Sequence, residues 1–253
     1  MSKLFQTLFV LLVMSSQGNA SPVKQHQRVD ASKLLPFSQS NSTNTQPRNL
    51  AGLFSITEYN ALNIKQPHND FNQLYQKAVS GQNELESVTQ KIAQQSNTYT
   101  HTSGMKSVQR ARDKVAAKYT GNSDKITDIT RTSIVAQNIP ALMDAFELLQ
   151  QNTQILRIKN RFVTPNPSGY RDLSLLVRLP ESGIVAEVQL HLEAFSVIKN
   201  GKEHDNYEQI QQMQRLQISE NRAPSEIEQA SIDKLRNESQ QMYHQAWNQY
   251  LSA

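Results

Sequence analysis

Apolar residues in the first third of the chain recur at the spacing of an α-helix. One predicted face consists of Phe71, Leu74, Ala78, Leu85, Val88 and Ile92. Gly81 falls inside this pattern, which therefore predicts either two helices or one helix that breaks near Gly81. A further helix is predicted over residues 107–118.

The middle of the chain changes to the period of strands. Strands are predicted over residues 126–135, 155–162, 171–179 and 184–195. Between the first two, Pro140 opens a helix whose apolar face consists of Leu142, Ala145, Phe146 and Leu149. The Pro-Glu-Ser-Gly stretch at 180–183 is expected to join the last two strands as a hairpin.

The C-terminal part of the chain is helical again. One helical face is formed by Tyr207, Ile210 and Met213. The last helix follows Pro224, with a predicted inward face of Ile227, Leu235, Met242, Ala246 and Tyr250. Helices on both sides of a compact block of strands predict one domain of the α/β (α+β) class, with a mixed β-sheet, over residues 55–253.

The N-terminus has a different character. Residues 1–20 combine Lys3, an apolar run and a small-residue end, which is typical of a secretory signal; a fraying amphipathic segment is the alternative. The run is too short to span a membrane, and no later stretch is long and apolar enough, so no stable transmembrane span is expected. Residues 21–54 are polar and aperiodic, which predicts a disordered linker.

The amino-acid composition excludes several classes of function. The chain has no cysteine, which excludes disulfides, thiolate nucleophiles and cysteine-bound zinc. The net charge of +4 comes from the front of the chain, because residues 51–253 carry 21 basic and 21 acidic side chains. Such a neutral body lacks the basic stripe that long nucleic acids need, whereas a small polyphosphate needs only a local cluster of cations.

Polar side chains occupy one face of the last predicted strand. Strand alternation places Glu187, Gln189 and His191 together, opposite a row of apolar residues. Asp172 and Ser174 share a face of the partner strand, so the two rows are expected to form a polar floor. A plain solvent-facing surface is the alternative interpretation.

Cations recur at helical spacing in the predicted helix near residue 107. Lys106, Arg110 and Lys114 are four residues apart, so they are expected to line one face. A helix would hold these donors in the fixed geometry that a triphosphate needs. The alternative is an ordinary solvated face.

Two charged residues interrupt the first predicted strand. Asp128 and Arg131 lie among β-branched residues, where an unpaired charge is costly to bury. They are therefore expected to pair with each other or to serve a ligand. Asp128 and Glu187 together offer the one or two carboxylates that Mg²⁺ takes beside phosphate oxygens.

These residues stand in an order that resembles a known family, the synthetase domain of the RelA/SpoT proteins, and in particular its stand-alone small alarmone synthetases of the RelV kind. The resemblance covers roughly residues 104–212. It rests on Lys106-Ser107 and Lys114, Asp128-Ile-Thr-Arg131, Lys159, Pro165-Asn-Pro-Ser-Gly-Tyr170, Glu187-Val-Gln189, His204 and Tyr207.

The resemblance implies a nucleotidyltransferase-like synthetase domain that transfers the β,γ-pyrophosphate of ATP to the 3′-hydroxyl of GDP or GTP with Mg²⁺. It implies that Lys106, Lys114 and Arg131 grip ATP, that Asp128 holds the metal, and that Glu187 binds metal and activates the hydroxyl. On the acceptor side, Tyr170 would stack on guanine and Lys159 would meet the phosphates. The predicted nucleotide-binding set is completed by Ser107, Arg110, Gln189 and His191.

The departures from the family pattern lie on the acceptor side. Asn160-Arg161 stands where the family has Asp-Tyr after the lysine, Ser168 replaces an asparagine, and His191 replaces an arginine. Guanosine specificity therefore follows less directly than ATP use. A catalytically inactive nucleotide-binding protein is one alternative, although retention of both carboxylates, Asp128 and Glu187, argues against it.

The sequence also bears on hydrolase activity and on where the protein acts. His204-Asp205 lies inside the synthetase-like region rather than in an upstream helical domain, so synthesis without hydrolysis is expected. ATP and GTP imply action in the cytoplasm, which is our expectation, yet the N-terminus looks exportable. The alternative is an exported, toxin-like relative that pyrophosphorylates adenine nucleotides or RNA ends.

Overall fold

The computed structural model describes residues 47–102 and 104–251. Its helices are α1 (Leu50–Ser55), α2 (Phe71–Gln95), α3 (Val108–Tyr119), α4 (Ile139–Asn152), α5 (Glu193–Lys199), α6 (Lys202–Ser219) and α7 (Glu226–Leu251). Its strands are β1 (Tyr59–Asn60), β2 (Tyr99–His101), β3 (Arg131–Ala136), β4 (Gln154–Asn160), β5 (Leu173–Arg178) and β6 (Val185–Leu192).

These strands form one mixed sheet in the order β1-β4-β5-β6-β3-β2. The β3–β6 pair is parallel, and the other pairs are antiparallel. The predicted hairpin at 180–183 joins β5 to β6, with Arg178 opposite Val185 and Gly183 in the left-handed region at φ +70°. The predicted mixed α/β class is confirmed.

One face of the sheet forms the core beneath α2 and α4. Ala186, Val188 and Leu190 of β6 are buried on this face, as strand alternation predicts. Asn138 caps α4 by accepting a hydrogen bond from the Ala141 N–H at 2.9 Å. The predicted inward face of α4 is confirmed, because Leu142, Ala145, Phe146 and Leu149 are all buried.

Helix α2 is a single unbroken helix, which decides between the two predicted alternatives. Gly81 lies where α2 meets the β5–β6 hairpin, and a Cβ atom there would be 3.0 Å from Ile184. Glu84, one turn later, accepts hydrogen bonds from the backbone N–H groups of Glu181 and Ser182. The glycine therefore permits close packing and does not end the helix.

The structure corrects two sequence-based boundaries and adds two short strands. The strand predicted over 126–135 begins only at Arg131, because the preceding segment forms a loop. The predicted linker ends earlier than residue 54, since α1 starts at Leu50 and buries Leu53 completely. Strands β1 and β2 are too short to give a periodic signal and were not predicted.

The predicted inward faces of the C-terminal helices are only partly correct. Ile227 is 81% exposed and Tyr207 is 53% exposed, so neither belongs to the core. Helix α7 buries Ala246, as predicted, and half-buries Tyr250 against the core, but its other buried residues are Ile232, Ser239, Tyr243 and Trp247. The Trp247 ring packs against Phe162 and Phe195 with centroid distances of 5.7 and 6.2 Å. This aromatic cluster fixes α7 at the end of the sheet.

The predicted secretory segment, residues 1–20, lies outside the described residues, as does most of the predicted linker. Within residues 47–102 and 104–251, no helix is long and apolar enough to cross a membrane.

We predict that Trp247→Ala destabilises the fold by about 3–5 kcal/mol, because it empties the centre of the aromatic cluster. The free energy of unfolding, measured in urea, tests this. Ile227→Ala on the same helix is the control and should change stability by less than about 0.5 kcal/mol. Equal effects of the two substitutions would contradict the described packing of α7.

Candidate active site

Polar side chains lie on the second face of the sheet, and the parallel pairing of β3 with β6 sets their positions. Arg131 lies opposite Glu187, and Ser133 lies opposite Gln189. On the other side of β6, Gln189 pairs with Ser174 of β5. Opposite residues of paired strands share a face, so these side chains form the polar floor that the sequence predicts.

Two lysines converge on Asp128 at the head of β3. The Asp128 Oδ2 atom lies 2.6 Å from the Lys114 Nζ atom and 3.1 Å from the Lys106 Nζ atom. Asp128 therefore pairs with these lysines and not with Arg131, whose Nε donates to the Gly104 carbonyl at 3.3 Å. All these groups are at least partly buried, which strengthens their electrostatic interaction relative to a surface pair.

The predicted row of three cations on α3 is wrong in one respect. Lys106 precedes the helix, and Ser107 is its N-cap, accepting a hydrogen bond from the Arg110 N–H at 3.4 Å. The Lys106 backbone N–H donates to the Ile129 carbonyl at 2.9 Å, which ties this segment to the Asp128 loop. Arg110 is exposed, whereas Lys114 faces inward one turn later.

The pKa of Asp128 is lowered from its ordinary value. Burial alone would raise it, but the hydrogen bonds and charges of Lys114 and Lys106 outweigh that effect. Asp128 thus stays ionised at neutral pH. Its other oxygen, Oδ1, is buried and has no hydrogen-bond partner among the described residues.

The charges of Glu187 and Asp128 affect the pKa values of the same two residues, Tyr119 and Arg157. Burial raises the pKa of Tyr119, at the end of α3, and both carboxylates raise it further, while Lys114 and Arg157 lower it. Burial lowers the pKa of Arg157, and the charges of Glu187 and Asp128 oppose that shift. Both carboxylates therefore influence the pKa values of Tyr119 and Arg157.

The residues fit a magnesium ion through a minimal donor set. Within residues 47–102 and 104–251, no three His, Asp or Glu side chains come together as a metal-binding cluster. Mg²⁺ is commonly held by one or two carboxylates together with phosphate oxygens and water. The unpartnered Oδ1 of Asp128 and the half-buried Glu187 match that requirement.

Strand β4 adds cations to the polar floor. Lys159 lies opposite Ser174, and its pKa is lowered by burial and then by the charges of Arg157 and Arg161. Sequence reasoning selected Lys159 but missed the other two. The missed signal is their spacing, since residues 157 and 159 alternate along β4 and residue 161 continues the same spacing just after the strand ends.

Lys199, at the end of α5, is a further residue that sequence reasoning missed. Its Nζ atom donates to the Gln189 Oε1 atom at 2.7 Å. Burial lowers the pKa of Lys199, while the charges of Asp172 and Glu187 oppose the shift. No periodic pattern marks this lysine, because it reaches the floor from the helix that follows β6.

Tyr170 and His191 are buried, which disagrees with the predicted stacking of Tyr170 on guanine. Tyr170 is 8% exposed and His191 is 1% exposed. The Tyr170 hydroxyl lies 2.7 Å from the Asp172 Oδ2 atom and 2.7 Å from the His191 Nε2 atom. Asp172, which is fully buried, also pairs with the Arg161 Nη1 atom at 2.6 Å.

Burial sets the protonation states in this group. The pKa of His191 is lowered well below its usual range, first by burial and then by the charges of Lys199, His101 and Arg161, so the imidazole is neutral at neutral pH. The pKa of Tyr170 is raised, first by burial and then by Asp172. Tyr170 is therefore a neutral hydroxyl that donates to the carboxyl group and accepts from His191.

Comparisons with known proteins place the fold in a defined class. No protein-family model matches the chain, and no curated protein matches it in sequence. Solved structures do match. Small alarmone synthetase 2 from Bacillus subtilis is 21% identical with a TM-score of 0.53, over 72% of this chain and 97% of that chain.

Two other structures are similar to a comparable degree. Small alarmone synthetase 1 from Bacillus subtilis, bound to its product pppGpp, has a TM-score of 0.55 at 16% identity, over 72% of this chain and 93% of that chain. The Type VI effector Tas1, in complex with its immunity protein, has a TM-score of 0.52 at 20% identity, over 69% of this chain and 96% of that chain. The chain thus has the RelA/SpoT-type small alarmone synthetase fold.

We predict that Lys114→Met raises the pKa of Asp128. Burial raises this pKa, and in the variant only Lys106 remains to lower it. A carbon-13 NMR titration of the carboxyl carbons measures this directly. In the wild type, the lowered pKa makes ionised Asp128 stabilising above its unfolded pKa, and this stability is lost as the pH falls through the folded pKa. The variant should show less of that acid-dependent stability.

Lys118→Met is the matched control for this titration, since Lys118 is exposed on the same helix. It should leave the Asp128 titration unchanged. An Asp128 pKa that is the same in Lys114→Met as in the wild type would contradict the lysine–aspartate cluster.

Proposed function

We propose that this protein is a pyrophosphokinase that transfers the β,γ-pyrophosphate of ATP to the 3′-hydroxyl of GDP or GTP, with Mg²⁺ as cofactor. The observation that carries the proposal is the register of β3 on β6. It sets Arg131 against Glu187 and leaves the Lys106–Asp128–Lys114 cluster at the head of β3.

The donor side follows from that cluster. Lys106, Lys114 and Arg131 supply three cations around the head of β3, and a triphosphate chain satisfies all of them at once. The two lysines neutralise Asp128 through Oδ2, and binding of a polyphosphate gives their ammonium groups a second set of oxygens. Transfer of a phosphoryl group needs mainly such positioning and neutralisation of charge.

Asp128 and Glu187 are the residues that would hold the metal, which neutralises charge on the phosphates when bound. Glu187 would also accept the proton of the attacking 3′-hydroxyl as general base. Glu187 lies opposite Arg131 in the β3–β6 pair, which would place this carboxylate beside the donor phosphates. Of the eight buried side-chain atoms without a hydrogen-bond partner among the described residues, four belong to the floor and its rim: Asp128 Oδ1, Arg157 Nε, Ser174 Oγ and His191 Nδ1. Such atoms are rare in folded proteins, so their grouping supports a ligand site.

Synthesis without hydrolysis remains part of the proposal. The His204-Asp205 pair lies on α6, where His204 pairs with Glu208 at 3.2 Å and is largely exposed. This arrangement is an ordinary surface pair one helical turn apart. It gives no reason to assign a hydrolytic metal site to the pair.

The similarity to the effector Tas1 favours a second candidate, an exported pyrophosphokinase that acts on adenine nucleotides or RNA ends. The signal-like pattern of residues 1–20 points the same way. Fusion of residues 1–25 to a reporter that is active only outside the cytoplasm separates the two candidates. Reporter activity supports the exported protein, and an inactive but intact fusion supports action in the cytoplasm.

The activity is tested with β,γ-labelled ATP and Mg²⁺ in the presence of GDP, GTP, ADP or AMP in turn. We expect label to appear in a pyrophosphorylated acceptor when GDP or GTP is supplied. Transfer only to ADP or AMP would replace the guanine acceptor by an adenine one. Absence of transfer to every acceptor would contradict the proposed function, and Mn²⁺-dependent breakdown of ppGpp would contradict the lack of hydrolysis.

Two variants tie that activity to the site. Glu187→Gln is nearly isosteric, so it should abolish transfer while the free energy of unfolding stays close to that of the wild type. Lys106→Ala should reduce kcat/KM by at least ~10²-fold, because one phosphate-gripping cation is lost. Lys125→Ala is the matched control, since Lys125 is an exposed lysine outside the cluster. Wild-type rates in both site variants would overturn the assignment.

A further inference from the structure

Two cationic side chains and two aromatic rings surround the ring of Tyr170. The guanidinium carbon of Arg161 lies 5.9 Å from the ring centroid, and the Lys199 Nζ atom lies 5.7 Å from it. The rings of Tyr243 and His191 meet it edge-on at centroid distances of 5.7 and 5.9 Å. Stacking on a nucleotide base requires an uncovered ring face, and this ring is 8% exposed.

Helix α7 fixes the tyrosine in this position. Gly169 has φ +84°, and a Cβ atom there would lie 3.3 Å from the Tyr243 Cβ atom, so the loop is packed closely against the helix. The Gln240 side-chain amide donates to the Pro167 carbonyl at 2.6 Å, on the same loop. Exposure of the ring would therefore require α7 to separate from the loop.

Asp172 links the two ends of this loop, and the tyrosine hydroxyl contacts Asp172. Asp172 accepts from the Arg161 side chain at 2.6 Å, and the backbone N–H of Arg161 donates to the Asp172 carbonyl at 2.9 Å. Tyr170 donates to the other oxygen of the same carboxylate. The orientation of Arg161 on the floor thus depends on a carboxylate that accepts from Tyr170, whose hydroxyl in turn contacts His191.

Arg161 and Lys199 lie beside the Tyr170 ring, and two neighbouring cations favour binding of an anionic ligand. Burial is the largest cause that lowers the pKa of Lys199, the charges of Asp172 and Glu187 oppose it, and the nearby positive charge of Arg161 lowers the pKa further. The ring face attracts both cations, and Gln189 accepts from Lys199. The phosphates of a nucleotide would relieve the remaining repulsion.

We propose that Tyr170 is a positioning residue rather than a stacking platform: with Asp172 and His191 it holds Arg161 and Lys199 to receive the 5′-phosphates of the acceptor nucleotide. The inference rests on the proposed function for the identity of the site. It implies that the acceptor is selected by its number of phosphates more than by its base.

The substitution Tyr170→Phe separates the two roles, because phenylalanine keeps the ring that stacking needs and loses the hydroxyl that Asp172 accepts. Binding of GDP, ADP and GMP is measured by calorimetry on the full chain, with Mg²⁺ and a non-hydrolysable ATP analogue present. We expect Tyr170→Phe to weaken GDP and ADP binding by about tenfold each, as for loss of one buried hydrogen bond, and to affect GMP less. Asp172→Asn should show the same pattern.

Two controls separate positioning from misfolding. Tyr59→Phe removes the hydroxyl of a half-exposed tyrosine on the edge strand and should leave all affinities unchanged. The affinity for the ATP analogue should be unchanged in Tyr170→Phe, because the donor side is built by other residues. If that affinity falls equally, the variant has disturbed the whole site and the positioning role is contradicted.

The outcome that overturns the inference is wild-type GDP affinity in Tyr170→Phe together with a loss in Tyr170→Leu, which is the pattern of stacking. This result is independent of the proposed function. A wild-type protein that binds GDP but transfers no label contradicts the function and leaves the positioning role standing.

Discussion

The parallel pairing of β3 with β6 is the constraint on which the site depends. These strands are separated by more than 40 residues, and their register sets Arg131 opposite Glu187. The Glu187 backbone N–H also donates to the Thr130 carbonyl at 3.0 Å, which carries the pairing one residue beyond the strand. Asp128 is thereby held at the end of β3 nearest to Glu187. A slip by one residue would turn every one of these side chains to the other face.

Electrostatics then divides the polar face into two parts. At the head of β3, two lysines hold Asp128 ionised, so a carboxylate stands ready beside cations that a triphosphate can use. Toward the other end, buried Asp172 takes the charge of Arg161 and is fixed by Tyr170. Burying these charges is costly unless they are paired, and we propose that a nucleotide completes the pairing.

Much of the core followed from periodicity, because α4 and β6 each bury one regular face. The errors have separate physical causes. The run around Asp128 contains β-branched residues that continue the strand pattern, yet its groups are used elsewhere: the Ile129 carbonyl accepts from Lys106 and the Thr130 hydroxyl donates to the Ala78 carbonyl. Local composition does not reveal such long-range bonds.

The candidate site was predictable to the extent that its residues lie on regular strands. Glu187, Gln189 and Lys159 were found by alternation or by family resemblance. The burial of Tyr170 depends on Tyr243, which lies on α7 far along the chain, so no local pattern announces it. Lys199 lies on α5 and contacts the floor by a hydrogen bond to Gln189, which no local pattern predicts.

The central claim, that Asp128 and Glu187 serve one divalent ion beside a nucleotide, is tested most directly by Mn²⁺ binding. The electron paramagnetic resonance signal of free Mn²⁺ is titrated with protein in the presence of a non-hydrolysable ATP analogue. We expect Asp128→Asn and Glu187→Gln each to weaken Mn²⁺ binding by at least about tenfold, with a double variant little worse than either, because both carboxylates act on the same ion. Wild-type Mn²⁺ affinity in either single variant would contradict the shared site.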